Sequence, residues 1–381
     1  MIETKFKETE VGRMPADWEV KTLGEILSIG NGRDYKHLRH GKIPVYGTGG
    51  LMTYVDNYLY EGETVCIGRK GTIDEPQYHT GKIWTVDTLF YTYDFKETNV
   101  KFLYYLSTTL PWNSYNEATG VPSLTSKNIL SVTVSLPPLP EQRRIASALT
   151  NIDDLISNLD TLIEKKRNIK QGAMQQLLTG KTRLKGFTEP WVEKKLGEVV
   201  YINPASEREK PDQFIYIDLE SVKQGKLIST NIVNRVSAPS RAQRQFEQSD
   251  ILYQTVRPYQ SNNLYIDFDA AKYIASTGYA VLRSHEDTDS RYVYMYLHTY
   301  KFVGDVLDNC TGTSYPAINP NKLAQISIFL PSSLSEQRAI ASILTKMDSE
   351  ITALEQRREK YAALKQGMMQ QLLTGKIRLT D

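Results

Sequence analysis

Two short segments of this sequence carry side chains of the kinds that bind phosphate or metal ions. Gly180-Lys181-Thr182 matches the end of a phosphate-binding P-loop, a motif that also needs a glycine at position 175 and a strand before it. Position 175 is Gln, a helical pattern precedes it, and the similar Gly375-Lys376-Ile377 lacks the hydroxyl group. We therefore interpret both glycines as the ends of helices.

An acidic cluster offers ligands for a catalytic metal ion. Its members are Asp212, Asp218, Glu220 and Lys223. The spacing of Glu220 and Lys223 differs from that of nuclease sites, and the first half of the chain has no equivalent cluster. Asn319-Pro320-Asn321-Lys322 lacks the second proline and the aromatic residue of an adenine-methyltransferase motif. The sequence therefore predicts no catalytic residue and no metal site, with loop roles for these carboxylates.

Composition indicates a soluble globular protein. Of 381 residues, 40% are hydrophobic and 24% charged, and the net charge of +2 neither requires nor excludes a nucleic-acid partner. The chain is long enough for two or three domains. Cys66 and Cys310 lie far apart in sequence, and neither a signal peptide nor a membrane-length apolar run is visible. We expect a cytoplasmic protein with free thiols.

The segments that would position a functional site occur twice in the sequence. "QGAMQQLLTGK" at 171–181 returns as "QGMMQQLLTGK" at 366–376, and "MPADWEVKTLGEIL" at 14–27 resembles "TEPWVEKKLGEVV" at 188–200. Trp18 and Trp191 are 173 positions apart, whereas Gln171 and Gln366 are 195 apart. The chain is thus a duplication whose middle has diverged and has grown by about 20 residues in the second copy.

Each copy ends in a long helix with a heptad seam. The predicted seam residues are Ile145, Leu149, Ile152, Ile156, Leu159, Ile163, Lys166, Lys170, Ala173 and Leu177, followed by Ile340, Leu344, Met347, Ile351, Leu354, Arg358, Tyr361, Lys365, Met368 and Leu372. Prolines precede the first helix, Glu141 lies in its first turn, and Gly180 ends it. About 38 residues at 1.5 Å each give a length of roughly 57 Å.

The divergent middles have the pattern of mixed domains. "GETVCIG", "KIWTVDTLFYTY", "ILYQTVRP" and "KYIASTGYAVLRS" predict strands, and "VKFLYYLSTTL" and "SRYVYMYLHTY" predict short helices. We predict an α+β fold in which two mixed α/β domains are separated by two long antiparallel coiled-coil helices. Because "TRLKGFTEPW" has its counterpart split between "IRLTD" and "RMPADW" at the two chain ends, the repeat should be circular and pseudo-twofold. The predicted segments are 1–136, 137–181, 182–330 and 331–381.

These segments resemble the specificity subunit of type I restriction-modification enzymes. The resemblance covers almost the whole chain. It lies in "LPPLPEQRRIAS" and "LSEQRAIAS" before the helices and "QQLLTGK" at their ends; in "IPVYGTGG", "IGRKGT" and "WTVDTLFY" of the first middle; and in "YIDLESV", "SRAQR", "DILYQTVRPY" and "ASTGYAVLRS" of the second.

The resemblance implies a non-catalytic subunit. In that family, each target-recognition domain reads one half of a bipartite, asymmetric double-stranded DNA site, and the helices hold two methyltransferase subunits. Two motor-nuclease subunits can join. The resemblance places S-adenosylmethionine, ATP and Mg²⁺ in those partners and no cofactor in this chain. Two alternatives are a self-contained restriction or methylation enzyme and a coiled-coil scaffold without DNA reading.

The resemblance makes the arginine, lysine, amide and tyrosine side chains of the middles candidate DNA contacts. In the first middle they are Arg33, Tyr35, Lys36, His37, Arg39, Thr48, Arg69 and Lys70. A solvated basic loop around residue 36 is the alternative, as are a simple turn at Thr48 and a bracing role for Arg69 and Lys70. In the second middle they are Arg241, Gln243, Arg244, Gln254, Arg257 and Tyr259.

Two further expectations concern backbone geometry. Arg257 precedes Pro258, so we expect an extended backbone that directs its side chain toward DNA or toward a neighbouring carboxylate. Gly172 and Gly367 lie inside the helices, where a glycine costs about 0.5–1 kcal/mol relative to alanine. Either close helix packing or docking of a partner would explain them. The candidate docking residues are Gly172, Gln175, Gln176, Leu177, Gly367, Gln370, Gln371 and Leu372.

Overall fold

The computed structural model describes residues 5–206 and 208–380. The chain divides into two compact units. Unit 1 runs through Thr161 and resumes at Gln356, whereas unit 2 is Leu162–Glu355. The division falls inside both long helices, so each unit contains the beginning of one helix and the end of the other.

The strands of unit 1 lie both inside and outside the segments predicted from the sequence. They are β1 (Phe6–Thr9), β2 (Gly12–Pro15), β3 (Glu19–Thr22), β4 (Ser28–Asn31), β5 (His40–Gly47), β6 (Gly50–Val55), β7 (Tyr60–Glu61), β8 (Thr64–Gly68), β9 (Gln77–His79), β10 (Lys82–Thr85), β11 (Leu89–Tyr93) and β12 (Thr133–Leu136). The helices up to the first long one are α1 (Leu23–Ile26), α2 (Val100–Ser107), α3 (Ser126–Leu130) and α4 (Leu139–Leu177), with a 3₁₀ turn at Trp112–Tyr115.

Unit 2 has an equivalent set of elements. Its strands are β13 (Trp191–Lys195), β14 (Val200–Ile202), β15 (Gln213–Ile217), β16 (Val222–Lys223), β17 (Lys226–Leu227), β18 (Asn231–Asn234), β19 (Ala242–Arg244), β20 (Ile251–Gln254), β21 (Leu264–Tyr265), β22 (Tyr273–Ser276), β23 (Tyr279–Ser284) and β24 (Ser327–Pro331). The helices are α5 (Ser290–Tyr296), α6 (Tyr300–Asp308), α7 (Pro320–Ala324) and α8 (Leu334–Leu372), with 3₁₀ turns at Leu196–Glu198, Arg235–Ser237 and Pro258–Gln260. The predicted strands and short helices are confirmed in both units.

The two units share one sheet topology. In unit 1 the sheet orders are β4-β11-β8-β9, β6-β5-β10-β7 and β12-β3. In unit 2 they are β14-β23-β20-β21, β18-β15-β22-β19 and β13-β24, so each strand of these three sheets has a counterpart, whereas the β1-β2 and β16-β17 hairpins each belong to one unit. Even the exceptional parallel pair is repeated, as β5 with β10 and β15 with β22.

Part of the predicted extra length of the second copy lies in the connection between two paired strands. β5 and β6 are joined by residues 48–49 alone, whereas β15 and β18 are joined by 218–230, which contain the β16–β17 hairpin. Asp218 and Glu220 belong to this connection. Asp218 Oδ1 accepts hydrogen bonds from the amides of Glu220 and Ser221 and from the Ser221 hydroxyl, as a turn residue does.

The long helices α4 and α8 are equal in length, at 39 residues each, and the predicted seam is confirmed. Every predicted seam residue is buried or half-buried. In unit 1, Lys365 pairs with Asp153 and Arg358 with Asp160; in unit 2, Lys166 pairs with Glu350. Partners early in α4 lie late in α8, so the helix segments within each unit are antiparallel.

The start of each long helix is tied to the end of the other by one repeated cluster. Arg378, just beyond α8, donates from Nε and Nη2 to the two carboxylate oxygens of Glu141, both at 2.8 Å, and Trp18 Nε1 donates to the same group at 3.1 Å. Arg378 also pairs with Asp17, and together these contacts raise the pKa of Arg378 and lower that of Asp17. Segments near the two ends of the described chain therefore meet in unit 1.

Unit 2 contains the same cluster, which is formed there by residues of one uninterrupted stretch of the chain. Arg183, just beyond α4, donates to both oxygens of Glu336 at 3.1 and 2.6 Å, and Trp191 Nε1 lies 3.4 Å from the same carboxylate. Glu336 is fully buried. A buried carboxylate needs such a partner, because an unpaired charge in the core is strongly destabilising.

The glutamine that follows each of these glutamates forms hydrogen bonds to backbone groups beside the start of the helix. Gln142 Nε2 donates to Glu97 O and Pro137 O, and its oxygen accepts from the Asn99 amide. Gln337 makes the equivalent bonds to Asp287 O, Pro331 O and the Asp289 amide. The glutamate and glutamine of each "EQR" sequence thus have structural roles.

Close helix packing at the interior glycines is the wrong explanation. A Cβ placed on Gly172 or Gly367 would meet no atom of the described residues within 4 Å. The helix surface is open at both positions, which leaves docking of a partner as the remaining proposal for these glycines.

Candidate nucleic-acid interface

The basic segment of unit 1 is fastened to the sheet by its backbone. The Arg33 amide donates to Thr85 O, and Trp84 Nε1 donates to Arg33 O, both at 2.8 Å. His37 packs edge-on against the Trp84 ring, with centroids 5.8 Å apart, and Tyr35 packs half-buried against the core containing Trp84. The Arg33, Lys36, His37 and Arg39 side chains remain exposed. This arrangement keeps the cations in solvent while fixing the chain that carries them.

Thr48 occupies the two-residue turn between β5 and β6, and a glutamine holds that turn. Gln77 Nε2 donates to Gly47 O at 3.0 Å and to Thr48 O at 3.1 Å. Gln77 Oε1 lies 3.1 Å from His79 Nε2, and the His79 ring stacks on Tyr46 with centroids 3.7 Å apart. Burial lowers the pKa of His79 to about 4, so the ring is neutral at pH 7. Sequence reasoning missed Gln77, whose role depends on a contact 30 residues away.

Arg69 and Lys70 follow β8 and belong to the same part of unit 1. Both amides donate to Thr88 O, and Arg69 Nη1 lies 3.4 Å from Asp87 O. The side chains of Arg69 and Lys70, with residues 118–125, line an open cavity of about 440 Å³. The turn at 85–88 thus brings Arg33, Arg69 and Lys70 together. Thr48 joins them, since a Cβ at Gly71 would lie 3.5 Å from its hydroxyl.

In unit 2, the candidates around β19 differ in exposure. Arg241 is exposed, and its carbonyl accepts from the Thr277 amide at 2.8 Å in the β22–β23 turn. Gln243 is exposed, but its amide group is engaged by Lys210 and by Ser240 O. Burial lowers the pKa of the half-buried Arg244. Arg241 is therefore the side chain in this group with the freest access to a ligand.

Gln254 is unavailable as a direct DNA contact in this structure. It is 1% exposed. Its Nε2 donates to Val256 O and Gln260 Oε1, and its Oε1 accepts from the Asn262 amide. The Gln254 side chain thus shapes the loop that carries Arg257 and Tyr259.

The expected extended backbone at Arg257 is wrong. Its φ and ψ of 53° and 54° are left-handed, and its amide donates to Pro316 O at 2.7 Å. The tertiary hydrogen bond overrides the local preference of a residue before proline. The guanidinium lies over the exposed ring of Tyr315 at 4.3 Å from the centroid, and Tyr259 nearby is also exposed. Tyr315 was missed, although the repeat alignment places it opposite Val121.

The candidate docking residues separate into two groups. Gln175, Gln176 and Gln370 are exposed, as is Gly172, whereas Gly367 and Gln371 are half-buried. Leu177 and Leu372 are buried in the cores of units 2 and 1, respectively. The leucines of "QQLLTGK" therefore hold the helix ends in place, and only the glutamines and glycines offer a surface to a partner.

The described residues contain no group of three or more His, Cys, Asp or Glu side chains that could hold a metal ion. Among those residues, no helix is long and apolar enough to cross a membrane. Gly180 and Gly375 both have φ of +69° just past the long helices, which confirms their role as helix ends.

Duplicated α+β units with exposed arginine and lysine side chains in their connecting loops are the arrangement expected of a nucleic-acid recognition protein. The family described as type I restriction modification DNA specificity domain matches residues 15–168 and again residues 188–365, and the chain belongs to this family. Members act as the non-catalytic, DNA-recognising subunits of type I restriction-modification complexes and assemble with the other subunits.

Similar proteins agree over the full length. The type I restriction enzyme MjaVIII specificity subunit of Methanocaldococcus jannaschii is 25% identical over 427 aligned positions, covering 100% of this chain and 97% of the relative. The putative MjaX specificity subunit of the same organism is 27% identical, covering 99% and 97%. The crystal structure of the type I restriction-modification S subunit from M. genitalium has the same fold, with a TM-score of 0.67 at 16% identity over 93% of this chain and 96% of that one.

Proposed function

We propose that the chain recognises a bipartite, asymmetric double-stranded DNA site, with one half read by each unit. One observation carries this proposal: equivalent strands occur in the same order in both units, whereas the loops between them carry different side chains. Two readers of one architecture and different chemistry suit a site whose halves differ in sequence.

In unit 1, the proposed contacts are the exposed cations around the 85–88 turn, together with Thr48. Arg33, Arg69 and Lys70 supply donors to phosphates and guanine edges, and the Lys36–Arg39 segment extends the positive surface. In unit 2, the proposed contacts are the exposed Arg241 and Tyr259 and the half-buried Arg257. Gln254 and Arg244 support the loops that carry them.

We further propose that the duplicated helix ends dock two copies of a methyltransferase subunit. The support is the near identity of "QGAMQQLLTGK" and "QGMMQQLLTGK", in which exposed glutamines accompany an open glycine position. Motor-nuclease subunits would join such a complex to cut unmodified DNA. S-adenosylmethionine, ATP and Mg²⁺ would then be bound by the partners.

The proposed organisation keeps the four segments 1–136, 137–181, 182–330 and 331–381, as a circular, pseudo-twofold repeat with an antiparallel coiled coil. We also propose a cytoplasmic location. Burial raises the pKa of the Cys66 thiol to about 12, which suits an inert core thiol.

Co-expression with the neighbouring methyltransferase subunit, followed by genome-wide mapping of modified bases, tests the function. We expect one motif with two different halves separated by an unread spacer. Modification spread without a motif would contradict DNA reading. A purified chain incubated with S-adenosylmethionine, Mg²⁺ and DNA should show no turnover, and turnover would favour a self-contained enzyme.

A further inference from the structure

The connection after β8 in unit 1 and the connection after β20 in unit 2 are held by the same backbone clamp. In unit 1, the Gly71 amide donates to Pro122 O and the Leu124 amide to Arg69 O, both at 2.9 Å. In unit 2, the Arg257 amide donates to Pro316 O at 2.7 Å and the Ile318 amide to Thr255 O at 3.0 Å. An isolated bridge lies between these bonds in each unit, Lys70 with Ser123 and Val256 with Ala317. Gly71 and Arg257 therefore occupy one structural position.

That position requires a left-handed backbone in both units. Gly71 has φ of +97°, which glycine adopts without steric cost. Arg257 has φ of +53°, although an L-residue with a Cβ is disfavoured there. Unit 2 thus keeps an arginine where the fold favours glycine. A residue retained in an unfavourable backbone region points to a function of its side chain.

The arginine is also held in place by its neighbour. Tyr315 occupies the clamp position equivalent to Val121, and it supports the Arg257 guanidinium at 4.3 Å from the ring centroid. The Tyr315 side chain is 63% exposed. Among the described residues, the side-chain contact made by the Arg257 guanidinium is with the Tyr315 ring, which leaves its planar hydrogen-bond donors available to a ligand. Stacking on an aromatic ring restricts an arginine without consuming its hydrogen-bond donors.

We propose that Arg257 is a specificity-determining residue that contacts a guanine in the half-site read by unit 2, and that Tyr315 is its positioning residue. A guanidinium fork matches the two major-groove acceptors of guanine, O6 and N7. Unit 1 has Gly71 and Val121 at these positions and no such fork, so the contact belongs to one half-site only. The proposal rests on the proposed function, because it assigns a base to one of the two readers.

The test uses this chain assembled with its methyltransferase subunit. Modified bases are mapped genome-wide, and methylation rates are measured on duplexes with each base at every motif position. Arg257→Gly should reduce the preference for guanine at one position of one half-site by about 5- to 150-fold, the range of a bidentate contact. Arg257→Lys should weaken the preference less than Arg257→Gly does, because an ammonium group keeps the charge and can still donate to guanine but lacks the planar fork that stacks on Tyr315. Tyr315→Val should weaken the same preference less than Arg257→Gly does.

Ser261→Gly is the matched control. Ser261 is the other left-handed residue of this loop, with φ of +51°, and the substitution relieves the same backbone without removing a recognition side chain. We expect both glycine variants to unfold within about 3 °C of the wild type and Ser261→Gly to keep the motif.

The outcomes separate the two proposals. An unchanged motif in Arg257→Gly would overturn the guanine contact while leaving the bipartite function intact. Relaxation at several positions in both half-sites, or a large fall in the unfolding temperature, would make Arg257 a structural residue and overturn the proposal as well. A wild-type complex without any motif would contradict the proposed function itself.

Discussion

The helix-start clusters around Glu141 and Glu336 and the backbone clamps after β8 and β20 are each present in both units. Only the clusters also repeat their side chains. Around Glu141 and Glu336 the tryptophan and arginine partners are the same residue types, and the paired arginine and glutamate atoms are equivalent. In the clamps only the backbone bonds are repeated, while Gly71 and Val121 give way to Arg257 and Tyr315.

This difference separates what the fold needs from what recognition needs. A buried carboxylate tolerates little variation, since its partner must be a charge of opposite sign in bonding geometry. A backbone clamp fixes the main-chain conformation but does not require any particular side-chain chemistry, because its hydrogen bonds are made by backbone atoms alone. Duplication followed by divergence in such loops can therefore change the DNA sequence that is read without disturbing the core.

The largest effect should come from breaking a helix-start cluster. Arg183→Met removes the guanidinium that pairs with the buried Glu336 carboxylate, and we expect a loss of about 3–5 kcal/mol in the free energy of unfolding. Denaturant titration measures it. The exposed pair of Lys301 with Asp305 provides the control, because Lys301→Met should cost less than about 0.5 kcal/mol. Equal small losses in both variants would show that the cluster is not structural.

The next effect distinguishes the two kinds of residue in "QQLLTGK". Leu177→Ala removes a buried side chain and should cost about 2–4 kcal/mol in the free energy of unfolding. Gln175→Ala combined with Gln370→Ala should leave the unfolding free energy within about 0.5 kcal/mol of the wild type, yet weaken co-purification of the methyltransferase subunit. Undiminished co-purification would exclude these glutamines from the docking surface.

Acid should weaken unit 1 through His79. Burial holds the pKa of His79 at about 4, whereas an unfolded chain has a histidine pKa of about 6.5. The folded state therefore favours the neutral ring, so this stabilisation is complete above about pH 6.5 and is lost as the pH falls toward 4. Between pH 7 and pH 4.5, the free energy of unfolding should fall by on the order of 2 kcal/mol less in His79→Gln than in the wild type. Identical pH profiles from urea unfolding would contradict this.

A modest effect on stability should come from Gln77. Gln77→Glu keeps the shape of the side chain but replaces the donor to Gly47 O and Thr48 O with an oxygen, at a cost of about 1–3 kcal/mol. Base preference should relax in the half-site that Arg257→Gly leaves intact. The exposed Gln248→Glu makes the same chemical change without effect on the motif. If Gln77→Glu and Arg257→Gly relaxed the same half-site, the assignment of one half per unit would fail.

Sequence patterns predicted the elements with strong periodicity. The heptad seams located both long helices, whose predicted length of about 38 residues compares with 39 observed. The β-branched and aromatic segments located β8, β10, β11, β20, β22 and β23. The join between the chain ends was predicted from "TRLKG" and "IRLTD", but the Glu141 carboxylate that receives Arg378 was not, because that contact spans 237 positions.

The recognition loops were harder to predict for a physical reason. The expectation of an extended Arg257 rested on its neighbour Pro258, and a hydrogen bond to Pro316 outweighed that local preference. Gln254 was a candidate DNA contact in the sequence, but its side chain is buried and its donors and acceptors form hydrogen bonds within the loop. Whether a side chain can contact DNA depends on its exposure and on its hydrogen bonds to distant residues. Neither property can be predicted from the neighbouring residues in the sequence.

The central claim is that the two units are different readers in one architecture. A chain in which residues 197–326 are replaced by residues 24–132 tests it most directly. The junctions are equivalent, since the Leu23 amide donates to Val132 O and the Leu196 amide to Ile326 O. Assembled with the methyltransferase subunit, this chain should modify a symmetric motif built from two inverted copies of the half-site read by unit 1. Retention of the original asymmetric motif would contradict the account.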